Sequence, residues 1–205
     1  MRNYIRLIAL LIFFVFQVSF SSQTKTITAT LDTPWSEFEN SDMHACCKGF
    51  CATELKASSF LQDKSKINYG AKMLADDKQS TAWVEGKADD GIGEWIEFNY
   101  TFDEKFSESA EGACNYQEDF LIANGYQKNN TAWKENNRVK KMKMYIDGKF
   151  YADIVLLDKM GSQLLRLGFI KSLKKKKAKI KIKFVIAEVY KGTKYRDTAI
   201  TEIWW

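Results

Sequence analysis

The chain is poor in proline and histidine, with Pro34 and His44 as the only examples among its 205 residues. With one proline, no proline-rich linker marks a boundary between domains, and the length suits a single domain. A Ser-His-Asp or Cys-His catalytic device would have to use His44, which precedes a cysteine cluster rather than a nucleophile elbow. We therefore predict one domain that is not an enzyme.

The chain also lacks a hydrophobic run long enough to cross a membrane. The unbroken apolar segment Leu7–Phe16 has 10 residues, against about 20 for a transmembrane helix. Two arginines precede it and small serines follow it, which is typical of a secretory signal peptide. We predict that residues 1–21 are a signal peptide and that the mature protein is exported (secreted, periplasmic or at the cell surface) without a membrane span.

The net charge is modest, with a formal value of +5. Much of it comes from Lys174–Lys177, and such a run can indicate binding to nucleic acid or an anionic membrane. Here the run lies between two strand-like segments, Leu164–Ile170 and Lys179–Tyr190, which favours a solvated hairpin turn. Because an exported protein seldom meets nucleic acid, we predict no nucleic-acid partner.

Four cysteines are present: Cys46, Cys47, Cys51 and Cys114. In an exported chain an even number of cysteines predicts disulfides, with three pairings open. Adjacent Cys46 and Cys47 cannot easily pair with each other without strain, so we expect Cys114 to pair with one of the three N-terminal cysteines. The alternative is a metal site that includes His44, although the spacing matches no zinc pattern well.

Alternation with a period of two is the dominant pattern. In Glu94–Phe102 the apolar residues fall on one face, and Lys179–Tyr190 alternates isoleucine and phenylalanine with lysine. Asp147-Gly148 predicts a hairpin turn between two further strands, and Thr26–Leu31 also alternates. Many short strands joined by Gly, Asn and Asp turns predict a β-sandwich.

Three separated motifs carry a family resemblance. They are TAWVEGKADDGIGEW at Thr81–Trp95, NGYQKNNTAWKENNRVKKM at Asn124–Met142 and VYKGTKYRDTAITEI at Val189–Ile203. In this order they resemble the discoidin-like, or coagulation-factor type C, jelly rolls, and in particular the translocation (glycan-binding) domain of secreted bacterial NAD glycohydrolases. The resemblance implies an all-β, galactose-binding-like jelly-roll β-sandwich over residues 57–205, with residues 22–56 as an N-terminal extension. It concerns the non-catalytic part of those enzymes, so it does not imply NAD cleavage.

The resemblance also implies a structural calcium site. In discoidin-like folds a loop before the Thr-x-Trp motif and a glutamate near the C-terminus commonly close around Ca²⁺, and the matching residues are Asp76, Thr81 and Glu202. Calcium takes six to eight oxygen ligands, so loop carbonyls would complete the set. Asp77 stands where the family usually has glycine, and aspartate tolerates the left-handed conformation. The alternative is that Asp76 and Thr81 only hydrogen-bond the turn while Glu202 pairs with a lysine.

The polar and aromatic segment from Asn124 to Arg138 predicts a ligand surface. Glycan recognition places an aromatic ring against the apolar face of a sugar and fixed polar groups against its hydroxyls. The candidate ligand-binding residues are Tyr126, Lys128, Trp133, Asn137, Arg138, Glu85 and Glu94. We expect Trp133, in its polar surroundings, to expose its ring as the main contact, and Trp83 and Trp95 to be structural. The alternative for Arg138 is an internal ion pair with Glu94.

These observations predict an exported, non-catalytic carbohydrate-binding module whose partner is a glycan or cell-surface carbohydrate. The alternative is a protein-interaction or scaffolding domain that uses the same loops on a protein partner at the cell surface.

Overall fold

A computed structural model of the chain describes residues 24–31, 53–62, 67–101, 119–167 and 179–204. The predicted signal peptide, His44, all four cysteines and the lysine run at 174–177 lie outside the described residues, so the disulfide and hairpin predictions made for them stay predictions. Neither helix of the described ranges has the length or apolar character that a membrane crossing requires.

The described residues are mostly β-strand. The strands are β1 (Thr26–Thr28), β2 (Thr30–Leu31), β3 (Thr53–Ala57), β4 (Trp83–Val84), β5 (Trp95–Thr101), β6 (Asp119–Asn124), β7 (Asn137–Ile146), β8 (Lys149–Val155), β9 (Ser162–Arg166), β10 (Lys179–Tyr190) and β11 (Thr198–Trp204). A 3-10 helix spans Ala71–Ala75 and an α-helix, α1, spans Asn130–Glu135. The all-β prediction is confirmed.

The strands form where the sequence alternates. In β10 the side chains of Ile180, Ile182, Phe184 and Ile186 are buried while the intervening lysines are exposed or half-buried. The predicted hairpin connects β7 and β8, and both of its turn residues adopt left-handed backbone conformations, with φ of 49° at Asp147 and 78° at Gly148. Two positive φ values are what a two-residue hairpin turn of this hand requires.

The strands hydrogen-bond in the order β2-β9-β6-β11-β7-β10-β5-β3, with β8 beside β7, β1 beside β8 and β4 beside β11. The central strand, β11, joins two layers. Its first two residues pair in parallel with Asn137 and Arg138 of β7, and its last three pair antiparallel with Leu121–Ala123 of β6. One layer therefore holds β2, β9, β6 and β11, and the other holds β7, β8, β10, β5 and β3.

A phenylalanine cluster fills the space between the layers. Phe98 of β5 and Phe184 of β10 face Phe120 of β6, with ring centroids 5.9 Å and 6.2 Å away from it. All three rings are at most 1% exposed, as is Trp83, whose indole nitrogen donates a hydrogen bond to the Ser59 carbonyl at 2.9 Å. These contacts make the molecule a β-sandwich with an aromatic core. Trp95 differs, since it is half-buried with the Lys183 ammonium 4.0 Å from its ring centre.

The N-terminal strands belong to this sandwich. β1 pairs in parallel with β8, β2 pairs antiparallel with β9, and Ala29 between them donates its backbone hydrogen bond to the Val155 carbonyl at 2.8 Å. β3 adds an edge strand next to β5. The described parts of the chain before residue 57, residues 24–31 and 53–56, thus hydrogen-bond with the strands of the sandwich.

Candidate functional site

A groove of about 560 Å³ lies between three connecting segments of the sandwich. The walls come from the loop after β3, the β6–β7 connection with α1, and the β10–β11 loop. The apolar lining consists of Leu61, Ile67, Tyr69, Val84, Tyr126, Ala132 and Tyr195. The polar lining consists of Lys128, Asn129, Thr131, Glu135, Asn136 and Asp197. Mixed aromatic and polar linings of this size are typical of small-molecule sites.

The helix α1 forms one wall and is held by capping rather than by an apolar face. The Asn129 side chain accepts a hydrogen bond from the Ala132 amide at 2.8 Å, as a helix N-cap does. At the other end, the Lys134 and Glu135 carbonyls accept hydrogen bonds from the amides of residues 193–195. These carbonyls would otherwise lack partners, so the helix and the β10–β11 loop stabilise each other.

Three tyrosines face the groove from three different segments. Tyr69 and Tyr126 meet edge to face with ring centroids 6.3 Å apart, and the Tyr126 hydroxyl donates to the Ser80 carbonyl at 3.1 Å. Burial raises the pKa of Tyr126. Tyr195 is 42% exposed, so its ring presents apolar surface to solvent.

Two carboxylates line the same groove and differ in their ion pairing. Glu135 pairs with the Lys194 ammonium at 3.7 Å. Asp197 is half-buried, and burial raises the pKa of its carboxyl group, which its own backbone amide offsets only in part. Among the described residues no other side chain hydrogen-bonds or pairs with the Asp197 carboxylate.

A charged clamp, centred on the Asp90 carboxylate, holds the β10–β11 loop. The Asp90 carboxylate accepts hydrogen bonds from the Arg196 guanidinium at 3.2 Å, from the Lys191 ammonium and from the Asn137 amide. These partners hold the pKa of Asp90 well below its usual range. Because Arg196 lies between Tyr195 and Asp197, the clamp positions the wall that carries both groove residues.

The predicted contacts Trp133 and Arg138 are engaged with each other. The Trp133 ring is half-buried, not free, with its indole nitrogen donating to the Asn124 carbonyl at 3.0 Å and the Arg138 guanidinium 4.5 Å from the ring centre. Arg138 is 6% exposed and pairs with Asp158 at 2.7 Å. The expected exposure of Trp133 and the alternative Arg138–Glu94 ion pair are therefore wrong. Gly125 makes this packing possible, since a β-carbon there would lie 2.6 Å from Arg138 Cγ.

The other predicted residues divide between buried networks and the groove. Asn137 is 1% exposed and uses its amide on Asp90 and the Arg196 carbonyl. Glu85 is fully buried, and desolvation raises its pKa although the Lys87 and Thr198 amides donate to it. Burial also acts on Glu94, but hydrogen bonds from two serines and the Lys87 ion pair outweigh it and lower its pKa. Tyr126 and Lys128 line the groove, and as ligand contacts all seven residues remain predictions.

The predicted calcium residues meet where the 3-10 helix packs on β11. Thr81 donates its hydroxyl to the Asp76 carboxylate at 2.8 Å, as in the turn alternative. In the described part of the chain, however, no lysine pairs with Glu202. It is fully buried, neither of its carboxylate oxygens has a hydrogen-bond partner among the described residues, and burial together with Asp76 and Asp77 raises its pKa to about 9. The nearby backbone amides of Asp77 and Lys78 oppose this shift more weakly, although neither has the geometry of a hydrogen bond to the carboxylate.

A buried carboxylate without a partner, beside two further carboxylates, fits a hard cation. Within the described ranges no three His, Cys, Asp or Glu side chains converge tightly enough to hold a metal by themselves. A calcium ion here would therefore need backbone carbonyls in its coordination shell, as calcium commonly does. Asp77 adopts φ of 57°, the left-handed conformation expected at this position.

The family of the chain follows from a sequence comparison. Residues 46–205 match the model of the NAD glycohydrolase translocation F5/8 type C domain. The chain belongs to this family. The resemblance inferred from the three motifs is thereby confirmed, and the match covers most of the chain, including residues before the predicted boundary at 57.

Solved structures agree on the fold of this F5/8 type C domain. The CBM32-1, CBM32-2 and M60 catalytic domains of Clostridium perfringens ZmpB align with a TM-score of 0.53 and 10% identity over 91% of this chain and 17% of that one. The CBM32-1 and CBM32-2 domains of the same protein, in complex with GalNAc, align with a TM-score of 0.50 and 11% identity over 91% and 40%. This chain thus spans less than half of each. The discoidin-like β-sandwich is confirmed; no curated protein matches the chain in sequence.

The groove includes residues that the sequence motifs did not identify as ligand contacts. Tyr69 precedes the 3-10 helix and Tyr195 lies in the third motif, so only folding brings them to Tyr126. Asp197 also lies in the third motif. An aromatic and an acid two residues apart in a loop between strands was the available signal.

Proposed function

We propose that the chain is an exported, non-catalytic carbohydrate-binding domain whose ligand site is the groove of Tyr69, Tyr126 and Tyr195. The observation that carries this proposal is the composition of the groove. Aromatic rings from three segments offer flat apolar surface for the C–H face of a sugar ring. The Asp197 carboxylate and the side chains of Asn129 and Asn136 supply acceptors and donors for hydroxyls.

The comparisons support a glycan as the ligand class. The chain belongs to an F5/8 type C family, and a solved neighbour of the same fold is a CBM32 protein in complex with GalNAc. The apolar N-terminal run of the sequence supports export. Glu135, one of the two groove carboxylates, is paired with the Lys194 ammonium, so the groove does not present the two free carboxyl groups that glycoside hydrolysis commonly uses, which supports binding without turnover.

Calcium has a structural role in this proposal. Asp76, Thr81 and Glu202 would hold the ion with nearby carbonyls. None of the three lines the groove, although the hydroxyl of the groove residue Tyr126 reaches the same loop at the Ser80 carbonyl. Bound there, Ca²⁺ supplies the positive charge that the buried Glu202 carboxylate lacks among the described residues.

The decisive experiment compares the variants Tyr195→Ala and Phe150→Ala on a glycan array. Tyr195→Ala removes a groove ring that is 42% exposed, and Phe150→Ala removes a ring that is 41% exposed on β8, outside the groove lining. The equal exposure makes the two variants matched in their expected cost to stability. We expect Tyr195→Ala to lose most of the array signal and Phe150→Ala to retain it, with similar melting temperatures.

Other outcomes would overturn the proposal. A protein that binds no glycan but captures a protein partner through Tyr195 would be an interaction domain. Turnover of NAD or of glycosides by the pure protein would make it an enzyme. Equal loss of glycan binding in both variants would place the site elsewhere.

A further inference from the structure

The charges around the groove are arranged unevenly. The β10–β11 loop carries three basic side chains, and each is committed to a carboxylate other than Asp197. Arg196 and Lys191 bind Asp90, and Lys194 pairs with Glu135. The negative charge of Asp197 is therefore left uncompensated by its own loop.

The surroundings of Asp197 strengthen its field. Its side chain is half-buried in the groove lining, and the buried carboxyl group of Glu85 lies close enough for Asp197 to contribute to raising the Glu85 pKa. Charges near low-dielectric protein interact more strongly than charges in bulk water. The opposing groove cation is Lys128, which is exposed, so solvent and salt screen its charge.

We propose that Asp197 makes the groove select neutral or amino sugars and reject acidic ones. This inference rests on the proposed function of the groove. A carboxylate that pairs with no side chain of the described residues is satisfied by ligand groups that donate hydrogen bonds, namely sugar hydroxyls, amides or an ammonium. A uronic acid or sialic acid would bring a second negative charge to the same space.

The size of the effect follows from the interaction of two unit charges. At roughly 5 Å and an effective dielectric constant between that of a protein surface and that of water, the repulsion corresponds to about tenfold or more in affinity. We expect wild-type protein to bind methyl galactoside or methyl glucoside at least about tenfold more tightly than the corresponding uronide. The corresponding 2-amino sugar is expected to bind at least as tightly as the neutral one.

The test measures this acid-to-neutral ratio by titration calorimetry for wild type and two groove variants. Asp197→Asn keeps the shape of the side chain and removes its charge, and Asp197→Ser serves the same purpose if the asparagine variant folds poorly. Lys128→Ala is the matched control, because it removes a charge of opposite sign from the same groove. We expect Asp197→Asn to bring the ratio close to one and Lys128→Ala to increase discrimination slightly.

The discrimination between acidic and neutral sugars can also be tested without mutation, by changing the salt concentration. Raising the ionic strength to about 0.5 M should weaken the discrimination of the wild type and leave Asp197→Asn unaffected. If neutral sugars bind but the ratio is the same in wild type and Asp197→Asn, the inference is wrong while the glycan site stands. If none of the neutral, amino or acidic sugars binds the wild type, the proposed function fails and this inference with it.

Discussion

Glu202 makes the stability of this protein depend on pH in a way that can be worked out in advance. The ordinary pKa of a glutamate is 4.5, and burial beside Asp76 and Asp77 raises that of Glu202 to about 9. Between these pH values the folded state binds one more proton at this residue than the unfolded state. Without calcium, the contribution of Glu202 to stability is full below pH 4.5 and is lost as the pH rises towards 9.

The magnitude is large enough to measure. Each pH unit inside this window costs about 1.4 kcal/mol, so the calcium-free protein should lose about 3 kcal/mol between pH 5 and pH 7 from this residue alone. For a domain of this size that loss corresponds to about 6–12 °C in melting temperature. Glu85 and Asp197 have raised pKa values as well and act in the same direction. The contribution of Glu202 to the pH dependence of stability is therefore obtained as the difference between wild type and a Glu202 variant that cannot ionise.

The assay is thermal unfolding in chelator at pH 5, 6, 7 and 8 for wild type, Glu202→Gln and Glu97→Gln. Glutamine keeps the shape of the side chain without the ionisation, so the Glu202 variant should show a much flatter pH dependence. Glu97→Gln changes a half-buried glutamate on β5 and should leave the slope of the wild type. Parallel curves for wild type and Glu202→Gln would refute the reasoning.

Calcium should counteract the loss of stability at high pH, because only the deprotonated carboxylate binds the ion. We expect calcium to raise the melting temperature of the wild type more at pH 8 than at pH 5. At pH 7, binding should release about one proton, seen by calorimetry in two buffers of different ionisation enthalpy. Calcium stabilisation that is equal at all pH values, or retained in Glu202→Gln, would remove Glu202 from the site.

Three further predictions concern other parts of the molecule. Trp133→Ala should destabilise the protein by about 2–3 kcal/mol in urea unfolding, because the ring packs under Arg138 and donates a hydrogen bond; an unchanged midpoint would contradict this packing. Asp90→Asn should speed hydrogen exchange at the amides of residues 193–195 while sparing β10, and uniform protection would show that the clamp does not hold the loop. Non-reducing peptide mapping should find Cys114 joined to Cys46, Cys47 or Cys51, and a free Cys114 thiol would exclude this pairing.

The sheets were predictable because alternation records burial directly. In Lys179–Tyr190 one face meets the core and the other meets solvent, so the sequence predicts β10 at its observed bounds. The Asp147-Gly148 turn was predictable for a similar local reason, since few residue pairs tolerate two positive φ values.

The candidate site was less predictable because its interactions join distant segments. The helix α1 has no buried residue to produce a periodic pattern, and its local signal was Asn129 at the N-cap. Its last carbonyls bind amides roughly sixty residues further along the chain. The Trp133 ring is covered by Arg138, whose charge is balanced by Asp158, a residue outside all three motifs.

The hydrogen bonds between α1 and residues 193–195 have a consequence for engineering and for divergence among relatives. A groove wall attached only to the sheet could be exchanged for another loop on its own. Here the last carbonyls of the helix accept hydrogen bonds from amides of the β10–β11 loop, so replacing either segment leaves the other with unpaired backbone groups. The 129–136 and 191–197 segments form one transplantable cassette, and a graft intended to change ligand preference should carry both.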